Sequence, residues 1–403
     1  MGSYSEVVFA GYPAFENKNT YFEEIVKLLF VPDDFVSVRR RNSTRNNLTW
    51  GDAYSEDNGS YTYKAYVQTA KVCRKRLEIY GQSYSRAKMD YANAKKIAKR
   101  EEFYSFNLAK YSYDDYLKEI ADIIKCKEKI YEQLFVTFRE SLISGDLGIF
   151  GQTFSSHLYS ILSDLRDDAI IEYDLNEIIS SGWVKESDAK KSLQEKIIIL
   201  AEGRTDTEFI SKSIHKLFPY LSQYYHFWDF AEFKVETSAS ALVKLVRSFA
   251  AANVNHHVIA IFDNDTTGIS EMKNALIQRL PDNIKVLKYP DISLAKKYPT
   301  LGPSGEKNMN INGFACSIEL YFGKDVLTEN GKFVPVQWKG FNEKENKFQG
   351  EITKKNFLQD LFRTKLKTVD AANYFEMEIL LQSIFNAFTI TKNKDLGTIN
   401  RGK

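Results

Sequence analysis

The stretch Ile197–Glu208, IIILAEGRTDTE, decides the fold. An aliphatic run, Ile197 to Leu200, leads straight into Glu202 and Gly203, and Asp206 follows at the mouth of a helical segment. Apolar residues without alternation, stopped by a glycine turn, are the pattern of a strand buried on both faces of a mainly parallel sheet. In open sheets of this kind, sites gather at the carboxyl ends of the strands. A second such run follows in HHVIAIFDNDTTG, His256 to Gly268, with apolar Val258–Phe262 ending in Asp263 and Asp265. Two strand ends carrying carboxylates suggest a metal site. The other reading of Asp206, Asp263 and Asp265 is ordinary helix capping and turn formation after strands.

Working outward, strand and helix alternate. A helix is expected over Asp206–Leu217, a short strand over His226–Phe230, a helix over Ser238–Ala252, a helix after Gly268, and a strand over Ile284–Leu287. This order predicts an α/β fold, a parallel sheet covered by helices. The next stretch, YPDISLAKKYPTLGPSGEKNMNING, reads as a long loop, because Pro290, Pro299, Pro303, Gly302 and Gly305 interrupt it. SIELYFG then places Glu319 in an apolar segment. Two strands, FVPVQWKG and NKFQGEI, and helices in FLQDLFRTKL and YFEMEILLQSIFNAF are expected to close the chain, with a frayed tail ending at Gly402 and Lys403.

Toward the N-terminus the pattern changes. After a short β-containing start, RRRNSTRNN (Arg39–Asn47) reads as a polar surface loop. A helix is expected from Tyr63 to Gly81, carrying Arg74 and Lys75 on its outer face, and another basic cluster sits at Lys95–Arg100. One long helix is expected over Tyr116–Ser144, and a further one over Ser155–Arg166. The expected division is a mainly helical domain over residues 1–190, an α/β domain over 195–325, and a β/α extension over 326–403. Arg39, Arg40, Arg41, Arg74, Lys75 and Arg204 are candidate contacts to nucleic-acid phosphates; solvated helix and loop faces are the alternative reading.

Whole-chain quantities narrow the class. The 403 residues exceed one small core, 27% are charged, and the net charge of +2 neither demands nor excludes a polyanionic partner. The three cysteines, Cys73, Cys126 and Cys316, have no metal-ligand spacing and read as reduced thiols of a cytoplasmic protein. No apolar run is long enough to cross a bilayer and no signal-peptide pattern begins the sequence, so no membrane partner is expected. Glu202, Asp206, Asp263 and Asp265 form an oxygen-only donor set, which points to Mg²⁺ or Mn²⁺ over zinc.

ILAEGRTDTEF followed by IAIFDNDTTG resembles a toprim domain, the metal-dependent fold shared by topoisomerases, primases and old-family nucleases. On that resemblance, Glu202 matches the family's glutamate, Asp263 and Asp265 its DxD pair, and Asp206 the extra aspartate of the nuclease branch. Glu319 resembles a later acidic position, and Lys339, Lys354 and Lys355 are downstream candidates for a basic catalytic residue, with Lys339 preferred. MGSYSEVVFAGYPAF, the helical first half and SIELYFG together resemble bacterial HEPN/toprim-associated proteins, suspected phage-defence factors. The arginine–histidine pair of HEPN ribonucleases is missing: His157 is the only histidine of the first domain, and no arginine precedes it at that distance. The helical part is therefore expected to bind or dimerise rather than cut.

The function these resemblances imply is Mg²⁺- or Mn²⁺-dependent phosphodiester cleavage, with Glu202, Asp263 and Lys339 catalytic and Glu202, Asp206, Asp263, Asp265 and Glu319 holding metal. The substrate is nucleic acid, DNA or RNA, tRNA included. The alternative is a non-enzymatic nucleic-acid-binding or sensor protein that acts through a partner. A homodimer is a further expectation. GRTDTE lacks the lysine-serine ending of a phosphate-binding loop, so any ATP-driven sensing falls to a separate sensor or ATPase.

Overall fold

A computed structural model describes residues 2–130, 136–228, 237–368 and 373–389. The chain divides into two compact units, Met1–Gln194 and Glu195–Lys403.

The first unit is built on an antiparallel sheet of five strands: β1 (Tyr4–Phe9), β2 (Tyr12–Lys18), β3 (Phe35–Arg41), β4 (Ser60–Thr69) and β5 (Ile170–Asp174), in the order β2-β1-β5-β4-β3. Strand alternation sends Val7, Phe9, Ile171 and Tyr173 into one core with Cys73, Leu77, Tyr91, Tyr116 and Leu158 of the helices. Glu6, Val8, Glu172 and Asp174 therefore occupy the other face. A mainly helical domain was expected; the unit is α/β. Arg39–Arg41 belong to edge strand β3, paired with β4 from Phe35↔Tyr66 to Arg41↔Ser60, and the loop begins only at Asn42. An exposed edge strand carrying charge is a common defence against stray pairing, and it lacks the apolar signal by which a strand is read. The helix expected from Tyr63 begins at Ala70, where Thr69 caps it by accepting from Val72 N. The single helix expected over Tyr116–Ser144 is two, Tyr113–Cys126 and Phe138–Ser144, the first ended by Lys127 in the left-handed region; residues 131–135 lie outside the described residues. Arg76 is fully buried against Asp34 and the Leu29 carbonyl, which ties its helix to the turn before β3.

In the second unit β6 (Ile197–Ala201), β7 (Tyr225–Phe227), β8 (Val258–Phe262) and β10 (Ile284–Lys288) form a parallel sheet in the order β10-β8-β6-β7. Every residue of β8 is buried, as a strand covered on both faces requires. The expected parallel arrangement is present, and β6 and β8 are neighbours with Ala201 opposite Ile261. The expected strand over His226–Phe230 is shorter, and residues 229–230 lie outside the described ones. Short strand β9 (Asn264–Asp265) pairs with β13 (Ala315–Cys316).

The stretch expected to be a long loop holds a hairpin, β11 (Tyr298–Gly302) and β12 (Gly305–Met309), turned through Pro303–Ser304 with Gly302 opposite Gly305. β11 runs parallel to β16 (Val336–Asn342), which pairs in turn with β17 (Lys347–Ile352). Between them a small ribbon joins β14 (Thr328–Glu329) to β15 (Lys332–Phe333). Helices Lys355–Lys367 and Phe375–Phe385 follow. Gly402 and Lys403, expected as a frayed end, lie outside the described residues. Among the described residues no helix is long and apolar enough to cross a membrane. Cys73 and Cys316 are buried and Cys126 is exposed; all three are free.

Candidate functional site

The parallel pairing of β6 and β8 brings their carboxyl ends side by side. Glu202, the first residue beyond β6, accepts a hydrogen bond at Oε1 from the backbone N–H of Asp263, the first residue beyond β8, at 2.8 Å. Gly268 packs into this junction. A Cβ there would lie 2.4 Å from the Asp263 carbonyl oxygen and 2.9 Å from Glu202 Oε1, so only glycine lets the helix Thr266–Ala275 approach. Gly203 likewise leaves room for Asp206, whose Oδ2 would sit 2.9 Å from an added Cβ.

Each remaining acid has its own support. Asp206, in the first turn of the helix Arg204–Leu217, is buried and accepts at Oδ1 from the Tyr289 hydroxyl at 2.6 Å. Asp265 caps the helix Thr266–Ala275, accepting from Gly268 N at 2.7 Å, and its other oxygen accepts from Gln349 Nε2 at 2.6 Å. The capping alternative read from the sequence thus describes part of what Asp265 does. Glu319, wholly buried in the turn Ile318–Tyr321, accepts from Ser317 Oγ at 2.6 Å and Gln359 Nε2 at 2.7 Å, with Lys355 Nζ 3.5 Å away. Asp263 is the exception. Its buried Oδ1 has no hydrogen-bond partner.

These groups feel one another. Burial pushes Glu202 up to about 8, with Asp265 and Asp206 adding to the rise. Burial, then Glu319, raises Asp206 to about 6, against the Tyr289 hydrogen bond. Asp263 is pushed well above the carboxylate range by burial and by Asp206, Glu202, Asp265 and Glu319. Asp265 is raised chiefly by burial, its hydrogen bonds opposing. Burial works against the charge of Lys355, but Glu319, Asp263, Asp206 and Glu351 hold its ammonium above the ordinary lysine value. Like carboxylates crowded in a low-dielectric site resist joint ionisation unless a cation or proton intervenes. Among the described residues, however, no three His, Cys, Asp or Glu side chains are gathered as a ready set of metal ligands.

Lys355, not Lys339, is the lysine whose charge reaches Glu202, Asp206 and Asp265. Lys339 is exposed and faces Glu351 at 3.8 Å, and Lys354 pairs with Glu329. The preference for Lys339 rested on its place beside Gly340, whereas docking of the helix Lys355–Lys367 sets which lysine meets the acids. Tyr289, Gln349, Gln359 and Ser317 were not singled out in the sequence. Tyr289 had a readable signal, because it directly follows β10 and so lies at the same carboxyl edge as Glu202 and Asp263.

The candidate nucleic-acid contacts differ in availability. Arg204, at the start of its helix, and Arg41 are exposed. Arg39 Nε donates to Ser60 Oγ at 2.7 Å. Arg40 is turned onto Glu172 at 3.3 Å and the Tyr63 ring at 3.6 Å. Arg74 donates to the carbonyls of Leu162 and Ser163 and pairs with Asp167, and Lys75 pairs with Glu78 at 2.6 Å. The basic face expected there is largely engaged within the unit. His157 is buried, bonded at Nε2 to the Asp146 carbonyl at 2.9 Å, and pushed down to about 4 by desolvation. It is a core histidine.

The first 196 residues match the family model described as HEPN/Toprim N-terminal domain 1. Residues 1–196 are a HEPN/Toprim N-terminal domain. The match ends within two residues of the boundary after Gln194, so the HEPN/Toprim N-terminal domain coincides with the first compact unit and leaves the acidic cluster outside it. No curated protein and no solved structure matches the chain.

Proposed function

We propose that the second unit is a toprim-type nuclease centre that cleaves phosphodiester bonds of DNA or RNA with Mg²⁺ or Mn²⁺, serving as an antiviral effector in a bacterial cytoplasm. The observation that carries this reading is the buried, unpartnered Oδ1 of Asp263, a residue on which the charges of four further carboxylates act and whose own charge acts on Lys355. A buried carboxylate oxygen left unpartnered among like charges is costly to fold, and a cation or a proton relieves that cost. The all-oxygen donor set suits a hard divalent ion. Because the carboxylates are not gathered as ligands, Glu202 and Asp263 would rotate to hold it, with Asp206, Asp265 and Glu319 around them. Such an ion neutralises charge on a phosphodiester and activates water.

The chain's own groups have distinct tasks in this reading. Glu202 ties the two strand ends together through the Asp263 N–H. Tyr289 and Gln349 fix the Asp206 and Asp265 carboxylates. Lys355 offers the positive charge for a phosphate or departing oxygen. Arg204 and Arg41 supply exposed phosphate contacts.

The lack of a ready ligand set favours a second reading, in which the unit binds nucleic acid and acts through a partner. One experiment separates the two: purified protein is incubated with plasmid, single-stranded DNA, total RNA and tRNA in Mg²⁺, Mn²⁺ or EDTA. Cleavage abolished by EDTA and by Glu202→Ala and Asp263→Ala supports the nuclease. Cleavage surviving both substitutions sinks the site assignment, and binding without cleavage of any substrate favours the partner-dependent reading.

A further inference from the structure

The hairpin β16–β17 carries a row of aromatic rings that starts beside the acidic cluster. A regular strand sends residues three apart to opposite faces. In β16 the register slips between Trp338 and Gly340, and this bulge turns Phe341 to the side of Trp338. Phe341 is then the register partner of Phe348 in β17. Ring centres follow one another at 6.4 Å from Phe314 to Trp338, 5.9 Å from Trp338 to Phe348 and 5.1 Å from Phe348 to Phe341. Phe314 bridges to Asp265, and Gln349, next to Phe348, donates to the Asp265 carboxylate. Phe314 and Trp338 are half-buried, whereas Phe341 and Phe348 are 49% and 52% exposed.

No neighbouring pair in this row is stacked face to face. The planes meet at 84°, 52° and 70°, so ring faces stay open to an outside partner. The free edge of β17 is closed to strand addition. The Phe348 carbonyl accepts from Thr266 Oγ1 at 2.7 Å, and Gly350 N donates to the Phe314 carbonyl at 3.2 Å. A peptide or a second copy therefore finds no open strand edge beside the rings. Charge favours a polyanion instead. Of the hairpin's three glutamates, Glu345 pairs with Lys273 and Glu351 faces Lys339 at 3.8 Å, which sets Lys344 and Lys347 against Glu343 alone. Lys347 Nζ lies 5.1 Å from the centre of the Phe314 ring. Aromatic faces flanked by cations suit an unpaired nucleic-acid strand, because every base has a face to stack, and in a duplex neighbouring bases cover those faces.

We propose that this row is a stacking platform for single-stranded nucleic acid. Phe341 and Phe348 take unpaired bases, Trp338 and Phe314 lead the strand toward Asp265, and Lys344 and Lys347 meet its phosphates. On the reading of the acidic cluster as a phosphodiester-cleaving centre, on which this rests, the substrate is an unpaired strand of DNA or RNA and a fully paired duplex is a poor one.

The test is fluorescence anisotropy of the full chain in EDTA, where a metal-dependent reaction is off, with labelled DNA and RNA oligonucleotides as single strands and as duplexes of the same sequence. Single strands are expected to bind at least about tenfold more tightly than duplexes, and the tighter of the DNA and RNA strands identifies the source. The double variant Phe341→Leu with Phe348→Leu keeps an apolar surface and removes the rings. It is expected to melt with the parent and to bind single strands about tenfold or more weakly, the effect of losing at least one stacked base, with duplex affinity within about twofold. Equal affinity for single strand and duplex, no binding of either, or unchanged single-strand affinity in the double variant would each overturn the proposal. A dimer that the parent forms and the double variant does not would overturn it as well, assigning the rings to a second copy. Ring-dependent binding of single strands without cleavage of any substrate in Mg²⁺ or Mn²⁺ upholds the platform and sinks the nuclease reading. Cleavage of duplex and single strand at equal rates in parent and double variant does the reverse.

Discussion

Replacing Glu202 by Gln is expected to stabilise the protein in the absence of divalent ions. The carboxyl of Glu202 is raised from 4.5 to about 8, first by burial and then by Asp265 and Asp206. Below pH 4.5 folded and unfolded chains both hold its proton and it contributes no pH dependence. Between 4.5 and about 8 the unfolded chain releases the proton while the folded chain keeps it, so folding loses about 1.4 kcal/mol per pH unit. At pH 7 the accumulated cost is about 3 kcal/mol, an upper figure because the neighbouring acids titrate together. Glutamine keeps an oxygen to accept from Asp263 N–H, a bond of 2.8 Å, and carries no proton to lose. For a unit of this size a gain of about 3 kcal/mol raises Tm by roughly 6–12 °C. Thermal melts in EDTA from pH 5 to 8 give the measure: the parent's stability should fall as pH rises, and the variant's should fall less. A variant that melts below the parent at pH 8 in EDTA, with the same pH slope, would refute the claim that Glu202 is crowded and under-compensated.

Three further substitutions probe the remaining supports. Gly268→Ala forces a methyl against the Asp263 carbonyl at 2.4 Å and should cost about 1–3 kcal/mol, read by chemical denaturation, while removing any Mg²⁺-induced rise in Tm. If cleavage is found, Lys355→Ala should lower it by tenfold or more, about what loss of a charged contact to a reacting group implies, and Lys339→Ala should leave it within about twofold; the reverse ranking returns the role to Lys339. Arg76→Met leaves Asp34 without its buried partner and should destabilise the N-terminal domain by about 3–5 kcal/mol, with Asp34→Asn added to the same chain recovering much of the loss.

Sequence legibility followed burial symmetry. β6 and β8 were readable because strands covered on both faces must be continuously apolar, and their ends located Glu202 and Asp263 without further information. β3 was not, since an edge strand bearing Arg39–Arg41 has neither an apolar run nor a clean alternation. The part of β4 from Tyr63 reads as helix because Tyr66, Ala70, Cys73 and Leu77 share a helical spacing that starts inside the strand and continues into a true helix at Ala70. The register that opposes Glu6 to Asp174 joins residues far apart in the chain, so no local pattern could announce it. Lys355 was visible only as one of three lysines, because its position depends on how a whole helix docks.

The acids of the second unit are not equivalent, and their differences bear on what holds a cation there. Glu319 is wholly buried yet has Ser317, Gln359 and Lys355 around it, which is what a buried carboxylate needs in order to persist without any ion. Asp265 is held by a helix N-terminus and Gln349, and Asp206 by Tyr289. Among the described acids of this cluster, Glu202 and Asp263 have the least hydrogen-bond support from the chain itself: Glu202 accepts from one backbone N–H, and Asp263 has a buried oxygen with no partner. A divalent ion that stabilises this protein should therefore act mainly through that pair. Glu202→Gln and Asp263→Asn should each abolish the Mg²⁺-dependent rise in Tm, whereas Glu319→Gln should lower stability in EDTA and retain the response to Mg²⁺. An ion effect lost in Glu319→Gln but kept in Asp263→Asn would move the centre to the opposite side of the cluster.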